Sequence, residues 1–141
     1  MPSDLEETMA ELLSQGQVVA RATGREEFGA RALGNRSIFA DPIRPDAIKT
    51  INKAIKSRDF WMPFAPSILS EHADRYVHNP KKFSAPYMIL AFDSQNGQEV
   101  KAACHPEDAT IRPQIVSQKD NPRYHRLIEH FHRKTGRGAI L

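Results

Sequence analysis

Apolar residues at Leu5, Met9, Leu12 and Leu13 recur with helical spacing, and Ser3 with Glu6 reads as an S-x-x-E capping box. The chain is therefore expected to open on an amphipathic helix that Gly16 ends. Val18, Val19 and Ala20 predict a strand over 17–22, and 23–35 has no periodicity and reads as a long loop. A short strand over 37–40 stops at Asp41-Pro42, and Ile48, Ile51 and Ile55 predict a helix over 45–56. The prolines of 60–66 exclude a regular helix. Further on, 67–69 reads as a strand, 71–77 as a short helix and 79–82 as a polar loop. The unbroken apolar run over 87–92 predicts a central strand buried on both faces. Asn96-Gly97 marks a turn, and the strand over 110–116 carries Pro113, which points to an edge or a bulge. The last helix is the clearest: Asn121 caps it, Pro122 opens it, and Tyr124, Leu127, Ile128 and Phe131 form its apolar face up to Gly136. Ala139, Ile140 and Leu141 then begin a strand that the sequence does not finish. The alternation of helices and strands, with no repeat and no linker, predicts one mixed α/β domain.

Composition sharpens this picture only in part. With 141 residues, 40 % hydrophobic and 26 % charged, the chain has the balance of a globular domain large enough for a core. The longest apolar stretch, 88–92, is far too short to span a bilayer, and the first residues lack a basic start followed by an apolar run. Cys104 is the only cysteine and forms no internal disulfide, so the protein is read as cytoplasmic. Twenty basic against 17 acidic residues give a net charge of +3, too mild for a dedicated nucleic-acid binder.

Charge distribution carries more information than the sum. Arg21, Arg25, Arg31, Arg36 and Arg44 crowd one short segment that also holds Gly24, Gly29 and Gly34. Gly29 and Gly34 have P-loop spacing, but Asn35 stands where the P-loop lysine belongs and Ser37 comes one place late, so a P-loop is rejected. Glycines that admit backbone N–H groups, with Arg25, Arg31 and Arg36 beside them, suit a phosphate or carboxylate ligand. Composition supports equally well a surface loop whose arginines pair with Glu26, Glu27 and Asp41. His125, His130 and His132 have no metal-ligand spacing with Cys104 and His105, and they read as exposed helical histidines. Cys104 reads as structural.

The run Gly24-Arg25-Glu26-Glu27-Phe28-Gly29-Ala30-Arg31-Ala32-Leu33-Gly34-Asn35-Arg36-Ser37 resembles the signature that opens the C-terminal domain of the bacterial O-carbamoyltransferases. That family carbamoylates nodulation factors, cephem antibiotics and aminoglycosides. The likeness continues through Ala40-Asp41-Pro42, Ile51-Asn52, Lys56-Ser57-Arg58, Pro63-Phe64-Ala65-Pro66 and Ser84-Ala85-Pro86-Tyr87-Met88. His105-x-x-Asp108-x-Thr110-x-Arg112-x-Gln114 is similar to the family's H-x-D-x-T-x-R-x-Q element, and Asn121-Pro122-Arg123-Tyr124-His125 opens its last helix.

The resemblance implies a YrdC-like fold, a mixed twisted sheet flanked by helices, with residues 1–141 as one partial domain. It implies binding of ATP with magnesium and of carbamoyl phosphate, which combine to a carbamoyl-adenylate, with no catalytic side chain identified. Lys56-Ser57-Arg58 matches the K-x-R motif of YrdC-like relatives, whose S-x-N partner follows as N-T-S-F-N beyond Leu141. Lys56, Arg58, Arg25, Arg31, Asn35, Arg36, His105 and Arg112 are the implied nucleotide and phosphate ligands. Trp61-Met62 stands where many members carry Phe-Arg, so one cationic contact is expected to be absent. Iron belongs to an N-terminal transfer domain, which would also take the acceptor; a homodimer is compatible with this. Two alternatives remain on the sequence alone: a YrdC-like RNA-binding module, for which aromatics interleaved with arginines are sparse, and a non-catalytic truncated remnant.

Overall fold

Asn121 accepts the Tyr124 N–H at 3.1 Å, Pro122 follows it, and helix α4 runs Pro122–Thr135. The Gly136 N–H closes it on the His132 carbonyl at 2.7 Å. Tyr124, Leu127, Ile128 and Phe131 are buried, as the periodicity predicts. The computed structural model describes residues 4–53 and 62–141.

Helix α1, Leu5–Ser14, packs along α4. Its cap differs from the expected box. Asp4 accepts the Glu6 and Glu7 N–H groups, and Ser3 lies outside the described residues. The Glu6 carboxylate turns inward and accepts Arg123 Nε at 2.8 Å and Arg21 Nη2 at 3.3 Å. The buried stripe is accordingly Glu6, Met9, Ala10 and Leu13, while Leu5 is exposed. Ion pairs across the helices, Asp4–Arg126 and Glu11–Lys134, hold that rotation. The helix ends as expected: Gly16 and Gln17 donate back to Leu13 and Leu12 at 2.9 and 3.0 Å.

Strands β1 (Val19–Ala22) and β2 (Arg36–Phe39) form an antiparallel hairpin around the arginine-glycine loop. Helix α2, Pro45–Ile51, follows. The rest of the helix expected over 45–56, from Ala54 on, lies outside the described residues, together with Lys56 and Arg58. Strand β3 (Ser67–Leu69) leads through a 3-10 turn, Ser70–His72, into α3 (Ala73–Tyr76). Strands β4 (Phe92–Asp93) and β5 (Thr110–Ile111) make a small antiparallel ribbon. Strands β6 (Gln114–Val116) and β7 (Ala139–Ile140) flank β3, the first parallel to it and the second antiparallel. Ala40 and Leu141 exchange both backbone hydrogen bonds, at 3.2 and 2.9 Å, which stitches the hairpin to β7.

Alternation along these strands separates two cores. Leu69 and Ile140 face α1 and α4 with Met9, Leu13, Phe39 and Phe131. Ile68 and Ala139 face the other way, towards Ala47 and Ile51 of α2 and the 100–111 segment. The domain is thus the mixed α/β fold expected.

The run over 87–92 is not a central strand. Tyr87 is 59 % and Ile89 76 % exposed, and only Phe92 enters a strand. Met88 sits at φ +56, which breaks an extended path, and the backbone pairing falls before the run, where Ala85 accepts the Ile115 N–H at 2.8 Å. Pro113 does more than bulge one strand; it divides β5 from β6, which lie in different sheets. The helical histidines are not free in solvent either. His125 is buried against Glu71 at 2.9 Å, His132 stacks on His72 with ring centroids 4.3 Å apart, and His130 lies 3.5 Å from Asp4. Glu71 in the 3-10 turn and Asp4 at the cap of α1 hold two of them, and a ring contact holds the third.

Candidate phosphate-binding cleft

The hairpin loop is held by its own side chains. Glu27 Oε1 accepts the backbone N–H groups of Asn35, Leu33 and Arg36 at 2.6, 3.1 and 3.3 Å. Partial burial works against ionisation of this carboxyl, yet the three donors outweigh it and hold Glu27 below the usual glutamate range. The backbone donors expected to face a ligand are therefore turned onto Glu27. Ser37 Oγ accepts the Gly34 N–H at 2.9 Å. Asn35 Oδ1 accepts Asn121 Nδ2 at 3.1 Å, which ties the loop to the cap of α4. Gln114 ties it to the sheet, donating to the Leu33 carbonyl at 3.0 Å and accepting from Ser67 Oγ at 3.1 Å.

Beneath the loop lies an inner cavity of about 180 Å³, with Ser37, Phe39, Ser67, Tyr124 and Leu141 among its walls. Burial holds the Tyr124 hydroxyl well above the usual phenol range, so it stays protonated; its ring stacks on Phe39 at 5.3 Å. An outer cavity of about 570 Å³ is walled by Phe28, Leu33, Tyr87 and Ile89. Ala30, Arg31, Met88 and Arg112 line both. Arg31 and Arg112 thus come from segments 81 positions apart to one cleft, and neither makes a hydrogen bond or ion pair with the described residues.

The element 105–114 acts mostly by positioning. Asp108 Oδ1 accepts the Thr110 N–H and hydroxyl at 3.0 and 2.8 Å and lies 3.1 Å from His105 Nδ1. Those Thr110 bonds, with His105 beside them, hold Asp108 below the usual carboxylate range. His105 is drawn into this turn and does not line either cavity. Two residues beyond Thr110, Arg112 emerges exposed at the cleft.

A model of the carbamoyltransferase C-terminus matches residues 10–141. The chain belongs to the carbamoyltransferase C-terminal family. It is 37 % identical over 141 residues to nodulation protein NolO of Bradyrhizobium diazoefficiens, covering 98 % of this chain and 26 % of that protein. It is 34 % identical over 128 residues to the 3'-hydroxymethylcephem-O-carbamoyltransferase of Amycolatopsis lactamdurans, covering 91 % and 24 %. An uncharacterized protein of Methanocaldococcus jannaschii is 40 % identical over 137 residues, covering 96 % and 22 %. The chain spans about a quarter of the length of these relatives.

In this carbamoyltransferase domain the residues expected to bind phosphate fall into distinct places. Arg31 and Arg112 share the cleft. Arg25 is exposed and off both cavities, and Arg36 reaches the Gly24 carbonyl at 3.4 Å and lies 3.9 Å from Glu26. Of the loop pairings expected as the alternative, only this one with Glu26 forms, because Glu27 takes backbone donors and Asp41 pairs with Arg137 at 2.7 Å. Sequence reasoning did not single out Ser67, Tyr124, Phe28 or Tyr87 as cavity walls. Phe28 and Tyr87 carried a signal, lying inside quoted motifs as aromatics next to glycine or proline. Among the described residues no helix is long and apolar enough to cross a membrane.

Proposed function

We infer that the chain is the nucleotide- and carbamoyl-phosphate-handling domain of an O-carbamoyltransferase, with Arg31 and Arg112 as its phosphate ligands. The observation that carries this is the meeting on one cleft of these two guanidinium groups, which have no partner among the described residues. A guanidinium fork matches phosphate oxygens bidentately.

In the activation step, water takes the phosphoryl group from carbamoyl phosphate and leaves carbamate with inorganic phosphate. A carbamate oxygen then attacks the α-phosphorus of ATP, the bond to the bridging oxygen breaks, and pyrophosphate leaves as carbamoyl-adenylate forms. Charge develops on phosphate oxygens throughout, so catalysis rests on positioning and cationic stabilisation and needs no protein nucleophile. Arg31 and Arg112 supply the charge, while Gln114, Glu27 and the Asp108 turn fix where it stands. Magnesium would come bound to the nucleotide's phosphates.

Titration with ATP and with carbamoyl phosphate tests this in the wild-type chain and in Arg31→Ala, Arg112→Ala and the double variant. Each charge-assisted contact contributes about 1.5–3 kcal/mol, so each variant should weaken binding roughly 10- to 150-fold. Unchanged binding of both ligands by the double variant would place the site elsewhere.

A further inference from the structure

The outer cavity has walls that the fold itself does not explain. Phe28 is fully exposed, Tyr87 and Ile89 are largely so, and none of the three belongs to either core. Met88, between the latter two, holds a left-handed backbone that ends any strand pairing and leaves their side chains at the cleft. Exposed aromatics grouped around a concavity mark a binding surface more often than isolated apolar residues do.

Size divides the two cavities between different parts of a ligand. The outer one, about 570 Å³, lies within the roughly 300–1,000 Å³ range of small-molecule sites. The inner one, about 180 Å³, holds only a small polar group. Arg31 and Arg112 stand on the wall common to both, so an anion bound there would send one substituent inward and another outward. The outer lining offers ring faces and alkyl groups from Phe28, Tyr87, Leu33, Met88 and Ile89. Among the described residues that line it there is no Asn, Gln, Ser, Thr, Asp or Glu.

Resting on the phosphate-binding reading above, we propose that the outer cavity is a stacking subsite for the purine of the nucleotide, with Phe28 and Tyr87 as its ring faces. Stacking reads the face of a base and is tolerant of its identity, because every base has one. Arg31 and Arg112, which could read a guanine edge, are taken up by the phosphates in this arrangement, and the rest of the described lining has no amide or carboxylate side chain to read the base. The subsite therefore accepts adenine and guanine alike, and nucleotide choice is weak in this domain.

Saturation-transfer NMR with ATP, GTP and inorganic tripolyphosphate distinguishes the parts, because it detects millimolar binding. In the wild-type chain the purine H2 and H8 protons of ATP and the H8 proton of GTP should receive saturation, and the two nucleotides should bind within about tenfold of each other. The Phe28→Ala, Tyr87→Ala double variant should lose that transfer and bind both nucleotides roughly 5- to 150-fold more weakly. Its affinity for tripolyphosphate, measured by phosphorus NMR, should be unchanged. If the aromatic variant holds ATP as the wild type does while Arg31→Ala with Arg112→Ala releases it, the stacking subsite is refuted and the phosphate site stands. If tripolyphosphate binding ignores the arginines, the phosphate site fails and the subsite with it. Binding of ATP with GTP more than tenfold weaker overturns the edge-blind pocket.

Discussion

Gly34 and Gly29 provide a matched pair for testing how the arginine-glycine loop is seated. Both have backbone angles reserved for glycine, φ +108 and +122, so an alanine at either position stores strain of about 1–3 kcal/mol. Their surroundings differ. A Cβ on Gly29 would meet nothing within 4 Å, whereas on Gly34 it would lie 2.2 and 2.5 Å from Cδ1 and Cε1 of Tyr124. That ring cannot yield, because it is 1 % exposed and stacked on Phe39. Overpacking of this kind adds about 1–3 kcal/mol. Gly34→Ala should therefore cost about 2–6 kcal/mol in all and Gly29→Ala only the strain. For a domain of this size 1 kcal/mol lowers Tm by roughly 3–5 °C, so Gly34→Ala should melt roughly 3–15 °C below Gly29→Ala. Scanning calorimetry of both variants at one pH reads the difference directly. Equal melting temperatures would mean that the loop does not rest on Tyr124, and the geometry given for Arg31 would fall with it.

Two further outcomes follow from charges placed inside the fold. Glu27 titrates below its ordinary value of 4.5, so its stabilisation is complete above that pH and is lost as pH falls through the lower folded value. Glu27→Gln, which keeps the shape and drops the charge, should be about 1 kcal/mol less stable at pH 7. The gap to wild type should close below pH 4.5 in urea titrations; a gap independent of pH would mean that the carboxylate is not the acceptor. Asp41 and Arg137 form a mostly buried pair at 2.7 Å, so Asp41→Asn or Arg137→Met alone should cost about 3–5 kcal/mol. The double variant should cost clearly less than the sum, and additivity within about 0.5 kcal/mol would show that the two do not interact.

Helix α4 was legible because its signals are local: a cap, a proline at the first turn and apolar residues at helical spacing within one window. The burial of Glu6 was not, because its partners Arg21 and Arg123 lie 15 and 117 residues away. The apolar run over 87–92 misled for a different reason. Apolarity says that a side chain avoids water, and a cleft wall meets that preference only when something is bound. Glu27 lay within reach of inspection, since all its donors come from the next nine residues. An acidic residue inside a glycine-bearing loop is a reason to ask whether the loop's backbone donors already have their anion. The arginines were legible as a group, but their division into paired and unpaired members depends on carboxylates that only folding brings near.

That division is the strongest argument for the cleft. Of the eleven described arginines, eight approach a carboxylate within 4.0 Å: Arg21, Arg36, Arg44, Arg75, Arg123, Arg126, Arg133 and Arg137. The fold pairs its guanidinium groups wherever a carboxylate comes within reach, even at exposed positions where such a pair contributes little. Arg25, Arg31 and Arg112 have no such partner among the described residues, and the last two line the same pair of cavities. Placing two like charges on one concave wall is unfavourable without a counter-charge. Glu27, the carboxylate best placed to neutralise the loop, spends its oxygen on three backbone N–H groups instead. Gln114, neutral and therefore unable to offset Arg112 two residues before it, holds the loop against the sheet. The motif residues around the cleft thus do the holding through backbone and neutral contacts and leave the two guanidinium groups without a counter-charge among the described residues, which is what the proposed anion would supply.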